Sequence, residues 1–232
     1  LTRKSLAHTR ARSDANAQGT RFLSLPDYTK KVLHGRALET NFKELISLSE
    51  KIAEDLTRGS EILIRSNAGT DLTLNIAGRI ANPAPGCVTR KILLASPPDA
   101  ETNIAPVEDC SKGVLVVDGS ITCEGLGRLK DEQTLHIEEG RVIEFIGSHA
   151  DLLKDLYDSL GDPNTRVIAE FGIGLNPKAE ITGKMLEDEG CLGMIHIGIG
   201  SNITIGGKNS VPFHVDNIIR KPDVYLDGEK II

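Results

Sequence analysis

The stretch that decides the reading is MIHIGIGSNITIGGKNSVPFHVDNIIRKPDVYLDG, residues 194–228. Its isoleucines alternate with glycine and histidine, a pattern that belongs to strands rather than helices. Within it His214, Val215 and Asp216 follow one another. Residues two apart on a strand project from the same face, so the His214 imidazole and the Asp216 carboxylate can reach one point while Val215 faces the other way. His196 sits in the preceding apolar run, and Gly198, Gly200, Gly206 and Gly207 leave space for a ligand or for close backbone approach. Two imidazoles and a carboxylate are the donor set of non-haem iron sites. They are equally half of a hydrolytic zinc or two-metal centre. A plainer reading stands beside these, in which His196 is a hydrogen-bonded core histidine and the H-x-D pair arises by chance. Spacing alone leaves the alternatives open.

Working outward, the carboxylates come next. In RVIAEFGIGLNP, residues 166–177, Glu170 lies in a β-type run just ahead of Gly172. A buried carboxylate is costly unless it is paired or binds a metal. In PPDAETNIAPVE, residues 97–108, Glu101 reads as a solvated loop charge. Glu187, Asp188 and Glu189 in KMLEDEGCLG read as an exposed acidic turn or helix end. His8, His34, His136 and His149 fall on polar helices or turns and read as surface residues.

The rest of the chain divides by texture. KSLAHTRARSDANAQG predicts a helix ending at Gly19, and TRFLSLP a short buried strand stopped by Pro26. TNFKELISLSEKIAEDLTRG predicts an amphipathic helix capped by Thr40 or Asn41, with Phe42, Leu45, Ile46, Leu48, Ile52, Ala53 and Leu56 on its apolar face and Gly59 at its end. From Ser60 onward, short runs such as EILIRS, DLTLNIAGR, GVLVVDGSI, TLHIEEGRVIEFIG and DVYLDGEKI are broken by Gly, Asp-Gly or Glu-Gly turns. One helix interrupts them, SHADLLKDLYDSLG, with Leu152, Leu153, Leu156 and Leu160 on one face and Pro163 beyond it. The fold expected is mixed, of the α+β class. A short N-terminal α/β remnant over residues 1–58 precedes a β-rich metal-binding domain over residues 59–232.

Composition excludes several classes. The net charge is −6 with a pI near 5.6, and aromatics make up 3% of the 232 residues with no Trp, so neither a basic nucleic-acid footprint nor a stacking platform is expected. No apolar run approaches the roughly 20 residues of a membrane-spanning helix. The basic, polar N-terminus lacks Met and a signal core, and the chain reads as a fragment or processed form. Cys87, Cys110, Cys123 and Cys191 form no C-x-x-C pair, which points to free thiols and a cytoplasmic protein. GIGLNP and GIGSNITIGG lack the G-x-G-x-x-G spacing of a dinucleotide site, and there is no G-x-S-x-G elbow.

APVEDCSKGVLVVDGSI, AEFGIGLNPKAEITGKMLEDEGCLGMIHIGIGSN and GGKNSVPFHVD followed by KPDVYLDGEKI resemble the catalytic domain of the thermophilic metallo-aminopeptidase family of aminopeptidases T and S. AHTRARSDANAQGTRFLSLP and GTDLTLNIAGR resemble its leucyl-aminopeptidase-like members, so the resemblance covers nearly the whole chain. It implies an N-terminally shortened hydrolase that removes N-terminal residues from peptides by a water activated between two divalent metals, zinc or cobalt. The implied ligands are Glu101, Glu170, His196, His214 and Asp216, with Glu101 and Glu170 as catalytic participants. A homo-oligomer acting on a small peptide or small molecule is implied as well. Two departures count against peptidase activity. No Tyr follows His196 in GIGSNIT, and Ala100 stands where the family has Gly. Dihydroxypyridine dioxygenases resemble the same family and imply instead one Fe(II) held by His196, His214 and Asp216. A non-catalytic binding member is the remaining alternative.

Overall fold

A computed structural model describes residues 10–26, 28–123 and 125–232. The N-terminal part supplies helix α1 (Arg10–Ala17), strand β1 (Phe22–Leu23) and helices α2 (Lys30–Leu33) and α3 (Ile46–Arg58). Strands β2 (Glu61–Arg65), β3 (Asp71–Asn75), β4 (Asn82–Ala84), β5 (Leu94–Ala95), β6 (Glu101–Ile104), β7 (Lys112–Val117), β8 (Ser120–Ile121), β9 (Gly127–Arg128), β10 (Gln133–Glu138) and β11 (Arg141–Ile146) follow. After helix α4 (Ala150–Asp158) come β12 (Ile168–Gly174), helix α5 (Met185–Asp188), β13 (Met194–Gly200), β14 (His214–Arg220), β15 (Asp223–Leu226) and β16 (Glu229–Lys230). The class is α+β, as expected.

Fourteen of these strands form two antiparallel sheets of seven, in the orders β11-β10-β7-β3-β2-β15-β16 and β4-β6-β12-β13-β14-β8-β9. The chain passes between the sheets over very short links. Asp118 and Gly119 join β7 to β8, and Lys221 and Pro222 join β14 to β15. A Cβ on Gly119 would lie 2.7 Å from the Ile218 carbonyl oxygen, so this corner needs glycine. Asp118 Oδ1 accepts from the Arg220 amide at 2.8 Å, tying the two crossings together.

Each sheet turns its apolar residues toward one shared core. Ile62, Ile64, Leu72, Leu74, Leu115 and Leu135 come from one sheet, and Ile104, Phe171, Ile173, Ile195, Ile197, Ile199, Val215 and Ile219 from the other. Ala53 and Leu56 of α3 join the same core, and α3 packs on β4 and β6. Period-2 alternation therefore decides the layout: one face of β12, β13 and β14 lines this core, and the other is left for chemistry.

The structure corrects several local expectations. The segment 40–45 is not the first turn of the long helix. Residues Phe42–Leu45 are a 3₁₀ turn, and α3 begins at Ile46 without a side-chain cap. Thr40 donates instead to Asn176 Oδ1 at 2.5 Å. In α4 the buried face is Leu153 with Tyr157, because the i, i+4 pair from Leu153 points at the core, while Leu152 and, beyond the helix end, Leu160 are exposed. Strand β1 spans only two residues, pairs in parallel with β5, and leaves Leu23 exposed. Residues 4–9 of the first expected helix, with His8, lie outside the described residues. Among the described residues no helix is long and apolar enough to cross a membrane.

Candidate metal centre

The non-core face of β6, β12, β13 and β14 is a checkerboard of reactive side chains and glycines. Gly172 pairs with His196 and Glu170 with Gly198 across β12 and β13. Gly198 pairs with Asp216 and Gly200 with His214 across β13 and β14. Gly174 pairs with Glu101 across β12 and β6. Each imidazole or carboxylate thus has a bare neighbour on the adjoining strand. The space is used: a Cβ at Gly172 would lie 2.0 Å from His196 Cε1. One at Gly198 would lie 2.7 Å from His214 Nε2 and 2.8 Å from Glu170 Cβ.

All five side chains singled out in the sequence converge here. Glu101, Glu170, His196 and Asp216 are buried, and His214 is the most exposed, with 31% of its side chain accessible. His196 Nε2 stands 3.2 Å from Glu101 Oε2 and 3.7 Å from Glu170 Oε1. His214 Nε2 stands 3.3 Å from Glu170 Oε2 and 3.0 Å from Asp216 Oδ1. Glu170 therefore lies between the two rings. Glu101, Glu170 and His196 offer donor atoms within 4.8 Å of one another, and so do Glu170, His214 and Asp216. The residues form groups that can hold a metal ion.

Hydrogen bonding supports that use. His214 Nδ1 lies 2.8 Å from the Ser201 carbonyl oxygen, which only accepts, so Nδ1 carries the hydrogen. A neutral ring then turns its Nε2 lone pair toward two carboxylates, an arrangement that requires a proton or a cation between them. A carbonyl acceptor on the far nitrogen is also the usual support of a metal-binding histidine. His196 Nδ1 is buried without a hydrogen-bond partner, and Glu101 Oε2 is buried with the His196 Nε2 contact but no satisfied hydrogen bond. Unpaired buried polar atoms are rare and costly. Asn103 Nδ2 holds the other Glu101 oxygen at 2.6 Å, and Thr122 Oγ1 stands 3.4 Å from Asp216 Oδ2.

The titrations respond to this crowding. Burial alone would lower the His196 imidazole, but the carboxylates of Glu101 and Glu170 outweigh it and raise it to about 9. His214 is likewise raised, with Asp216 overcoming burial. Burial raises Glu101 to about 7 against the pull of His196. Glu170 is lowered to about 2, because its hydrogen bonds to both histidines exceed the cost of burial. A cation in the cluster would take over the role of the imidazole protons.

Two expectations change at this level. Glu101 is not a solvated loop charge but the buried first residue of β6, paired with β12 and β4. Asp188 and Glu189 are not an exposed acidic turn. Asp188 is fully buried and accepts from Ser120 Oγ at 2.5 Å, Thr182 N at 2.7 Å and Gly183 N at 2.9 Å. Glu189 turns inward to the cluster, as does Asp99. Sequence reasoning named neither as a site residue. No local pattern marks either, since Asp99 precedes β6 in a loop and Glu189 follows α5. His34 is exposed and His136 and His149 are half-buried, none of them at the site.

Comparison with known proteins follows the same geometry. The family model NicX, 2,5-dihydroxypyridine 5,6-dioxygenase, matches residues 1–232. The 2,5-dihydroxypyridine 5,6-dioxygenase of Pseudomonas putida is 32% identical over 138 residues, covering 55% of this chain and 39% of that protein. The solved 2,5-dihydroxypyridine dioxygenase structure from Pseudomonas putida KT2440 superposes with a TM-score of 0.83 at 26% identity, over 97% of this chain and 67% of that one. Wild-type AmpT from Thermus thermophilus superposes with a TM-score of 0.64 at 20% identity, over 82% and 55% of the two chains. The aligned stretch of this chain thus spans well under half the length of its curated relative.

The aminopeptidase expectation is overturned by these matches. The likeness to AmpT is one of fold, whereas the whole-chain family match is to a dioxygenase. The hydrolase and metalloprotease readings fall with it, and a zinc or cobalt pair has no support. The error has a physical origin. Imidazoles and carboxylates set among glycines are legible in the sequence, but a donor set of this kind suits either chemistry.

Proposed function

This chain belongs to the 2,5-dihydroxypyridine 5,6-dioxygenase family, and from that we propose that it holds one Fe(II) through His196, His214 and Asp216 and opens a dihydroxylated pyridine ring with dioxygen. The observation that carries the reading is the presentation of His196, His214 and Asp216 on one face of β13 and β14, with Gly198 and Gly200 bare beside them. Two histidines and one carboxylate leave coordination positions open, as ring-cleaving iron sites require. Bound iron would supply the one-electron chemistry that dioxygen needs to react with a spin-paired ring.

The protein's own part is support and access. The Ser201 carbonyl fixes the His214 ring through Nδ1. Thr122 and the β14 backbone hold Asp216. Glu170, between the two imidazoles, orients both Nε2 atoms. His196 and the carboxylates are closed off from solvent, so a planar substrate approaches from the side of His214. The test is iron content and geometry. The full chain, loaded anaerobically with Fe(II), is expected to hold one high-spin ferrous ion that the His196→Ala and His214→Ala variants fail to retain. Iron retained equally by both variants would sink the assignment.

A further inference from the structure

We propose that Asp99, Glu101 and Glu189 form a second, all-oxygen cation site beside the imidazole site, suited to a hard divalent ion such as Mg²⁺ or Mn²⁺. The three side chains come from three separate pieces of chain. Asp99 closes the loop before β6, Glu101 opens β6, and Glu189 follows α5. Each offers a carboxylate oxygen, and these lie within 4.8 Å of one another. Asp99 Oδ1, Glu101 Oε2 and Glu189 Oε1 are all buried with no hydrogen-bond partner. Asp99 and Glu101 are 8% and 6% exposed. Three converging carboxyl groups, each with one buried oxygen that no hydrogen bond satisfies, are a costly arrangement that a cation among them would relieve.

The backbone is shaped to bring them together. A Cβ at Gly190 would sit 2.7 Å from the Ala100 amide nitrogen and 3.1 Å from Asp99 Oδ1, so only glycine lets the turn carrying Glu189 close on the Asp99 loop. Asn176 braces the same loop by donating to the Pro98 carbonyl at 2.7 Å. The donor set has no imidazole or thiolate, which selects oxygen-seeking ions over zinc or iron. Glu101 Oε2 also faces His196 Nε2 at 3.2 Å, so the two sites adjoin at this contact. The inference does not rest on the iron reading, since neither histidine nor Asp216 is among these donors. It differs from a zinc or cobalt pair in its ligands and in its ion.

The probe is Mn²⁺ alone. Equilibrium dialysis of the metal-free full chain is expected to give two bound Mn²⁺ per chain. The Asp99→Asn/Glu189→Gln double variant and the His196→Ala/His214→Ala double variant are each expected to keep one. Because Glu101 Oε2 lies only 3.2 Å from His196 Nε2, the two ions are close, and the saturated wild-type chain is expected to show a magnetically coupled Mn²⁺ resonance, a readout that needs no variant to fold. One Mn²⁺ at saturation with an uncoupled signal, or an unchanged count in Asp99→Asn/Glu189→Gln, would overturn the proposal. Failure of the iron reading shows separately, as Fe(II) retention unaffected by the histidine substitutions.

Discussion

Gly172 has as direct a part in the centre as His196. Its missing side chain is the space the imidazole occupies, with a Cβ due 2.0 Å from His196 Cε1. Gly172→Ala is therefore expected to displace the ring and weaken divalent-metal binding by roughly tenfold or more, the effect of losing a ligand's support. Calorimetric titration with Fe(II) under argon measures it. Gly78 gives the contrast, with φ of 74° but nothing within 4 Å of a Cβ. Gly78→Ala is expected to cost about 1–2 kcal/mol of stability from left-handed backbone strain and to leave metal affinity unchanged. Asp188 makes a third case. It is buried on Ser120 Oγ and two backbone amides, so Asp188→Asn turns a donor toward groups that need an acceptor. A loss of about 1–3 kcal/mol in chemical denaturation is expected. At this scale the sequence was partly legible. His214 and Asp216 could be paired from their spacing alone, and Glu170 from its apolar setting. Asp99 and Glu189 could not, because a carboxylate in a Pro- or Gly-rich loop looks solvated until the fold closes over it.

Strands and helices position the site from behind. Strands β12, β13 and β14 present the core on one face and the donors on the other, so core packing and site geometry share one register. Helix α3 holds β6 in place, with Ser49 Oγ donating to the Glu101 carbonyl at 3.1 Å and Leu56 wholly buried. Leu56→Ala is expected to cost about 2–5 kcal/mol through its cavity, read from the urea midpoint, while folded molecules keep their metal count. Strand positions and turns after Ser60 were readable because alternation and Asp-Gly or Glu-Gly turns are local signals. The start of α3 was not. Thr40 looked like a cap, but a tertiary partner, Asn176, takes its hydroxyl. Leu152 and Leu160 misled for a related reason, since apolarity marks several faces of α4 and only packing against β11 selects Leu153 and Tyr157.

Across the whole molecule, the cluster couples metal, protons and stability. His196 is raised from 6.5 to about 9 and Glu101 from 4.5 to about 7, so the metal-free native chain binds more protons than the unfolded chain between those values. Stability must then fall as pH rises through that window, from about 4.5 to about 9. The metal-free chain is expected to melt at progressively lower temperature across it, and Fe(II) loading under argon is expected to remove most of that slope by replacing the protons. A metal-free melting profile that is flat, or that rises with pH, would contradict the electrostatics described. The α+β class and the grouping of His196, His214 and Asp216 were accessible from patterning and spacing, whereas Glu101 joined the set only through the family resemblance. The chemistry was not, since a fold of this kind is shared with AmpT, and fold does not carry function. Oxygen uptake by the Fe(II)-loaded chain on addition of 2,5-dihydroxypyridine tests the central claim most directly. The account predicts one dioxygen consumed per pyridine ring opened, abolished in His196→Ala. A chain that holds iron at this site yet consumes no oxygen with that substrate would contradict it.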